Sequence, residues 1–389
     1  MREARNIVII GLINLLSVGA SAEDFFSCES ARGDTTGGIM DQAIYLAEKI
    51  LDHVTVERER WSMAVYPAAS YSGRSGLSVG VMPMLQFRDA RMPKPATLTP
   101  SLLISTKKMF EIQCDADVHL RHGIDITAKG EMYRQPDEFY EVGVGGESIA
   151  KYNFGRRMLT MEAVKTVGEE SAFRIGVNID ADYYKFTSIE VADSMRVAAG
   201  RLWGDAGGSY GMGISLGVDT RDDVLSPRKG WYARIWCTGY AKILGSSHKF
   251  GIATLDARRY IGIGEKTVVG VQLYASHSWG DVPFVKMPTF GGTRLGRAVG
   301  HNLKYIDNDA WLMQCEWRVP LFWRIGATVF GAAGNTSDGI DGVLDDIHIM
   351  GGGGLRFAVF AGKGLNVRLD AGVGTHGDHA IYFNIREAF

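Results

Sequence analysis

The sequence is poor in three things: an excess of charge of either sign, cysteine, and long apolar runs. Its 42 basic and 44 acidic side chains leave a net charge of −2, so it carries no basic footprint and no nucleic-acid partner is expected. With 46% hydrophobic residues it is equally far from the composition of a disordered chain. Beyond Ala22 no apolar stretch approaches the roughly 20 residues that a membrane-crossing helix needs. Only four cysteines are present. Cys114, Cys237 and Cys315 fall on the apolar phase of predicted strands, where cysteine behaves as a small hydrophobe, so no disulfide framework is expected. Cys28 would be lipidated only behind a lipobox, which Phe25-Phe26-Ser27 does not resemble.

Catalytic spacing is also missing. Gly351 to Gly354 and Gly143-Val144-Gly145-Gly146 are not followed by a helical start with Lys-Ser/Thr, so neither reads as a phosphate loop. His119 and His122 are three residues apart, as are His376 and His379, and on a strand such pairs face opposite sides. No Ser-His set can be assembled from spacing. The sequence therefore points to no catalytic residue, no metal and no cofactor, and not to an enzyme.

What is present begins at the N-terminus. Arg2 and Arg5 precede an apolar run from Ile7 to Val18, and Ala20-Ser21-Ala22 fits a small-x-small cleavage site. Residues 1–22 are expected to be a secretory signal peptide, with an uncleaved anchor as the alternative. Residues 23–60 form a leader. Within it Met40, Ala43, Ile44, Ala47, Ile50, Leu51 and Val54 recur at helical spacing, predicting a short amphipathic helix. That helix would be either a lid at the mouth of the domain that follows or a surface for a membrane or partner.

From Trp61 to Phe389 the period is two. Phe110, Ile112, Cys114, Ala116, Val118 and Leu120 alternate with Glu111, Gln113, Asp115, Asp117, His119 and Arg121. Phe173 to Asp182 and Leu365 to Val373 repeat the pattern. Such strands separate two different solvents. A soluble sandwich also alternates, but the number of strands, the aromatics near strand ends and the export signal favour an all-β transmembrane antiparallel barrel over 61–389. At roughly 9 to 11 residues per tilted strand plus connections, that length gives about 16 strands. Ser72 to Gly76 and Ala361 to Gly364 read as turns; Ser188 to Ser209, Gly280 to Asn308 and Asn335 to Asp346 read as loops.

The stretch Phe290 to Phe322 carries the strongest local signal. A glycine-rich turn with Arg294 and Arg297 leads into a strand whose apolar phase is Trp311, Met313, Cys315, Trp317 and Val319, with Gln314, Glu316 and Arg318 between them and Leu312 out of phase. Arg297 is expected to fold back into the lumen and meet Glu316 on the wall, the alternative being that both are solvated lining residues. Three motifs now make the chain resemble the BamA/TamA superfamily of outer-membrane barrels, the bacterial surface antigen family. They are Asp219-Thr220-Arg221-Asp222 followed by Pro227-Arg228-Lys229-Gly230, then Gly291-Gly292-Thr293-Arg294-Leu295-Gly296-Arg297, and Glu316. The resemblance implies a strand-turn-strand element at Asp219, Arg221, Asp222 and Gly230. It also implies a sixth external loop, built on Gly291 and Gly292, whose arginine tip is latched inside the barrel.

Departures from the family pattern set further expectations. The tip is Arg297-Ala298-Val299, without the family's glycine and aromatic, and the family's later acidic position falls on Ala332. Arg297 is thus expected to have one acidic partner. The C-terminal Ala380 to Phe389 alternates and ends on an aromatic; Ile381, Phe383, Ile385 and Phe389 are expected to face lipid as an assembly signal, with Glu387 out of phase. Fewer than 40 residues separate Ala22 from Trp61, so no polypeptide-transport-associated domain is expected there. The resemblance implies residence in the bacterial outer membrane, contact with its lipid, and a possible periplasmic or outer-membrane protein partner. The implied role is outer-membrane biogenesis by insertion or translocation of protein or lipid; a passive pore or structural barrel is the alternative.

Overall fold

The computed structural model describes residues 55–389 apart from 73–74, 90–94, 144–147, 169–171, 192–205, 225, 265–266, 323, 359–365 and 386. The predicted signal peptide, the predicted helix at Met40 to Val54 and the predicted turn at Ala361 to Gly364 lie outside the described residues. The chain forms strands β1 (Thr55–Glu57), β2 (Trp61–Ser72), β3 (Gly76–Phe87), β4 (Ala96–Ser105), β5 (Phe110–Leu120), β6 (Ile124–Tyr140), β7 (Ser148–Thr166), β8 (Phe173–Val191), β9 (Ala206–Asp219) and β10 (Gly230–Tyr240). It continues with β11 (Phe250–Ile263), β12 (Thr267–Gly280), β13 (Thr289–Phe290), β14 (Tyr305–Ile306), β15 (Asp309–Phe322), β16 (Ile325–Ser337), β17 (His348–Ala358), β18 (Asn366–Gly374) and β19 (His379–Ile385).

Sixteen of these, β2 to β12 and β15 to β19, pair antiparallel in chain order as one continuous meander. β1 is a short addition on β2, and β13 with β14 makes a separate ribbon inside the β12–β15 loop. β19 comes to lie beside β2, and among the described residues no strand ladder joins the two. The wall is therefore a barrel with a seam between its first and last long strands. Connections at one end are short, as at 264–266 between β11 and β12; at the other lie the longer ones, up to the 28-residue connection 281–308. In outer-membrane barrels the long-loop end is extracellular.

The alternation resolves into an inverted protein. On β8 the apolar residues Phe173, Ile175, Val177 and Ile179 face outward, Val177 being 58% exposed, while Asp182 on the opposite phase is buried. On β15 Met313, Cys315 and Trp317 point out, and Gln314, Glu316 and Arg318 point in. Hydrocarbon outside and polar groups inside is what a barrel in lipid requires, because the bilayer solvates apolar side chains and nothing else.

Several expectations need correction. Leu312, out of phase on its strand, faces inward, where Phe290, Ala298, Val299 and Tyr305 of the β12–β15 loop and Met350 of β17 give it an apolar partner surface. The predicted loop at Ser188 to Ser209 is shorter, since β8 runs on to Val191 and β9 begins at Ala206, and β16 likewise extends to Ser337. Phe389 does not face lipid. It is buried on the inner face beside Tyr260, in the space left by Gly270, and Arg318 stands over its ring. The chain turns inward after β19 because Glu387 has arginine partners there. Ile381 remains outward and exposed; Phe383 is half-buried beside it on the same strand phase.

The two faces predict unequal tolerance for charge. Val177→Arg is expected to destabilise the barrel by about 2–4 kcal/mol, the cost of a cation near the bilayer midplane, whereas Asn178→Arg on the inward phase should cost far less; urea titration of the protein folded into vesicles measures both.

Candidate functional site: a loop docked across the lumen

The β12–β15 loop enters the barrel and is fastened to two walls. Near its start a 3-10 turn, Phe284–Lys286, puts Phe284 and Val285 into an aromatic cluster with Phe139, Tyr152, Phe154, Tyr184 and Phe186 from β6, β7 and β8. Lys286 Nζ lies 2.5 Å from Asp180 and 3.2 Å from Asp182, and Arg156 donates to Asp182 and to the Val285 carbonyl oxygen. The β13–β14 ribbon then carries the chain inward, with Phe290 and Tyr305 stacked at 5.2 Å. At the tip Gly291, Gly292 and Gly296 have φ of +140°, +84° and +69°, in the half of backbone space where a β-carbon is strained. At Gly292 a β-carbon would also stand 2.3 Å from the Asn302 side chain. These glycines let the tip double back, closed by a hydrogen bond from Gly292 N–H to the Val299 carbonyl.

Arg297 sits at the bottom of this turn with its side chain fully buried. Its Nη2 is 2.5 Å from Glu316 of β15, and its Nη1 donates to Asp370 of β18 at 3.2 Å. The guanidinium lies 3.7 Å from the centre of the Phe330 ring of β16, a cation–π contact between buried groups. Glu316 is the eighth residue of its strand, about 23 Å from the loop end at roughly 3.3 Å per residue. The tip therefore reaches deep into the bore. The expectation of a single acidic partner is corrected: Ala332 supplies no carboxylate and instead packs against the loop's apolar cluster, while Asp370, two strands away from β16, takes the second position.

Around this pair lies a network that the spacing of Arg297 and Glu316 did not suggest. Arg318 reaches Glu316 at 2.5 Å, Arg356 reaches Asp370 at 2.6 Å and Glu387 at 2.9 Å, and Arg368 reaches Asp370 at 2.5 Å. Four guanidiniums thus surround three carboxylates, nearly all removed from solvent. Each such charge has a desolvation cost that only close partners offset, so the cluster holds together as a unit. The only sequence signal for it was phase: Arg318 follows Glu316 by two, and Arg368 precedes Asp370 by two, on inward faces.

The rest of the tip is held by side-chain hydrogen bonds to main-chain carbonyls. Arg368 donates to the Thr293 carbonyl, Gln314 to that of Arg294, Tyr382 to that of Val299, and Arg294 to that of Ala388. On β18 Gly372 lies under the tip: a β-carbon there would stand 2.9 Å from the Arg297 carbonyl oxygen and 3.1 Å from the Ala298 Cα. The walls that the loop joins, β7 and β17, are eight strands apart in a circuit of sixteen, so the loop spans the bore.

The strand-turn-strand residues form a different, local unit at the short-turn end. Arg221 grips Asp219 with two hydrogen bonds of 2.8 and 2.9 Å and stacks on Tyr232 at 4.5 Å. Asp222 accepts the N–H groups of Asp223, Arg228 and Lys229. Slight burial works against its charge, but these donors more than offset that and hold the carboxyl below its ordinary range. Gly230 has a φ of +114°, and a β-carbon there would fall 2.2 Å from the Thr220 carbonyl oxygen. Among the described residues none of these joins the Arg297 cluster by an ion pair; they shape the β9–β10 connection. Among the described residues no group of His, Cys, Asp and Glu is arranged to hold a metal ion.

Comparison with known proteins follows this geometry. The family profile described as "Omp85 superfamily domain" matches residues 133–346. No curated protein sequence matches the chain. Among solved structures it is similar to BamA from Haemophilus ducreyi lacking POTRA domains 1–3, at 12% identity and a TM-score of 0.56, covering 85% of this chain and 70% of that one. It is also similar to CdiB from Escherichia coli, at 10% identity and a TM-score of 0.58 over 85% of this chain and 63% of that one. CdiB from Acinetobacter baumannii matches at 11% identity and a TM-score of 0.51, over 89% and 67%. At these identities the likeness is one of fold.

Gly230→Ala is expected to distort the β9–β10 turn and lower the unfolding free energy, measured by urea titration, by roughly 1–3 kcal/mol, while leaving the Arg297 contacts intact, as judged by protection of loop 281–308 from protease.

Proposed function

The chain belongs to the Omp85 superfamily of bacterial outer-membrane barrels, and on that premise we propose that it works in outer-membrane biogenesis as a gated barrel that inserts or translocates protein or lipid once its lumenal loop is released. The observation that carries this reading is Arg297, buried between carboxylates from two separate wall strands. In an open pore a loop across the bore only narrows the path. A gate needs one that is held firmly and can be let go.

The physics of the latch fits that use. Removing one member of a buried, hydrogen-bonded charge group costs about 3–5 kcal/mol, because the partners left behind are uncompensated in a low dielectric. A loop held this way is stable at rest, yet it has a single point of release. Anything that draws the guanidinium from Glu316 and Asp370, such as a substrate strand entering at the seam beside β2 and β19, exchanges one set of partners for another. The seam supports this role because the first and last long strands of the wall meet there, and an incoming strand recognises a sheet by its edge.

Single-channel recording in planar bilayers tests the latch. The wild type is expected to stay closed, and Arg297→Ala, Asp370→Ala and Gly372→Val to open, the last by crowding the tip without altering charge. Arg297→Lys should open it too, since an ammonium cannot span both carboxylates. A wild type that conducts as freely as its variants would make the chain a passive pore. Folding of an unfolded outer-membrane barrel into vesicles that hold the protein, faster than into empty vesicles, tests the biogenesis role separately.

A further inference from the structure

The outer surface carries a second candidate site, unrelated to the loop. β6, β7 and β8 have 17, 19 and 19 residues, well beyond the roughly 9 to 11 that cross a bilayer. At the short-turn end they are flush with their neighbours, Leu120 of β5 standing opposite Ile124 of β6. Their excess length therefore projects at the loop end, where β5 stops at Phe110, opposite Arg134. On β8 the outward apolar residues run from Phe173 to Ala181, nine residues, which matches one bilayer crossing.

Immediately above that band the outward face becomes basic. Arg157 pairs in register with Met132 on one side and Tyr183 on the other, and one tier higher Gly155 pairs with Arg134 and with Lys185. Arg134, Arg157 and Lys185 are all exposed, and among the described residues none has an ion-pair partner. Gly155 forms the floor between them: a β-carbon there would meet only the Tyr133 carbonyl oxygen at 3.9 Å, so the space above it is open. Arg134 and Lys185 flank that floor, each one strand away, and Arg157 lies two residues along β7 toward the membrane. The exposed aromatic rings of Phe110 and Tyr183 mark the same level as the membrane interface. Higher on the projecting strands the charge is balanced, Lys151 standing in register between Glu138 and Glu190.

We propose that this notch over Gly155, walled by Arg134, Arg157 and Lys185, binds the phosphate of an anionic lipid head group in the outer leaflet. Three exposed cations at head-group depth, beside a band that already contacts the acyl chains, suit a ligand that carries phosphate and hydrocarbon together. A soluble anion would gain only the first of these interactions. Arginine supplies planar forks for phosphate oxygens, and lysine a point charge. Each cation held near an anionic lipid contributes roughly fivefold to affinity, so the three together contribute about a hundredfold.

The test is lipid binding to the folded barrel in neutral detergent, followed by native mass spectrometry. The probes are a bis-phosphorylated glycolipid, the same lipid with its phosphates removed, and inorganic phosphate. The wild type should bind the phosphorylated lipid about a hundredfold more tightly than the variant Arg134→Gln/Arg157→Gln/Lys185→Gln. Lys151→Gln should bind like wild type, and the dephosphorylated lipid should not distinguish the proteins. Equal binding of the phosphorylated lipid by wild type and triple variant, or equal binding of the two lipids by wild type, overturns the proposal. Inorganic phosphate binding as tightly as the lipid overturns the lipid assignment in favour of a free-anion site. Because all three side chains point away from the lumen, heat-modifiable gel mobility should report a folded barrel for the variant; should it not, the three single substitutions, each expected to weaken binding roughly fivefold, decide the matter.

Discussion

The interior of this barrel is organised by one constraint: a guanidinium taken out of water must be met by carboxylates, and the carboxylates by further cations. Arg297 on the loop is met by Glu316 and Asp370, and these by Arg318, Arg356 and Arg368. Removing Glu316 or Asp370 leaves several buried guanidiniums without the carboxylate that holds them. That is why the loop, although 28 residues long and attached only at its ends, occupies a definite place.

The same constraint explains the last residues of the chain. A final strand ending on an aromatic would ordinarily lay that ring against lipid. Here Glu387 is drawn to Arg356 at 2.9 Å, and the two residues after it follow inward, Phe389 filling the gap above Gly270. The loop tip and the chain end therefore meet in one cluster, through Arg294 and Ala388 as well as through the arginines. Displacement of the tip would disturb the region next to β19, one side of the seam. Loop and seam are in this way mechanically adjacent.

On the outside the controlling solvent is hydrocarbon, and the outward face of β5 to β9 is accordingly apolar between Lys165 at the short-turn end and the level of Arg157 and Tyr183. The barrel wall is thus amphipathic in two directions: across its thickness, where charge is inside, and along its height, where basic residues begin at the outer membrane surface. The projecting part of β6 to β8 turns its aromatic inner face to the loop, so the same strands serve as an anchor inside and as a basic shelf outside.

The fold was legible in the sequence because period-two alternation is a local property. Phe110 to Arg121 and Phe173 to Asp182 declare which solvent each face meets without reference to any other strand. The tip glycines were legible for a related reason, since Gly291, Gly292 and Gly296 answer to their own backbone angles. Arg297 and Glu316 were found through a family motif, and Leu312 announced an apolar partner by breaking phase. Asp370 was not found, although it stood in plain view on an inward phase. Nor were Arg356 and Glu387, or the inward turn of Phe389. These depend on which strands face one another across the bore, a matter of register, curvature and strand number accumulated over the whole circuit. By itself the sequence determined the strands, their two faces and the shape of the loop tip, because those are set by neighbouring residues. Only the tertiary structure decided which charges meet in the lumen, because a charge finds its partner in space and not along the chain.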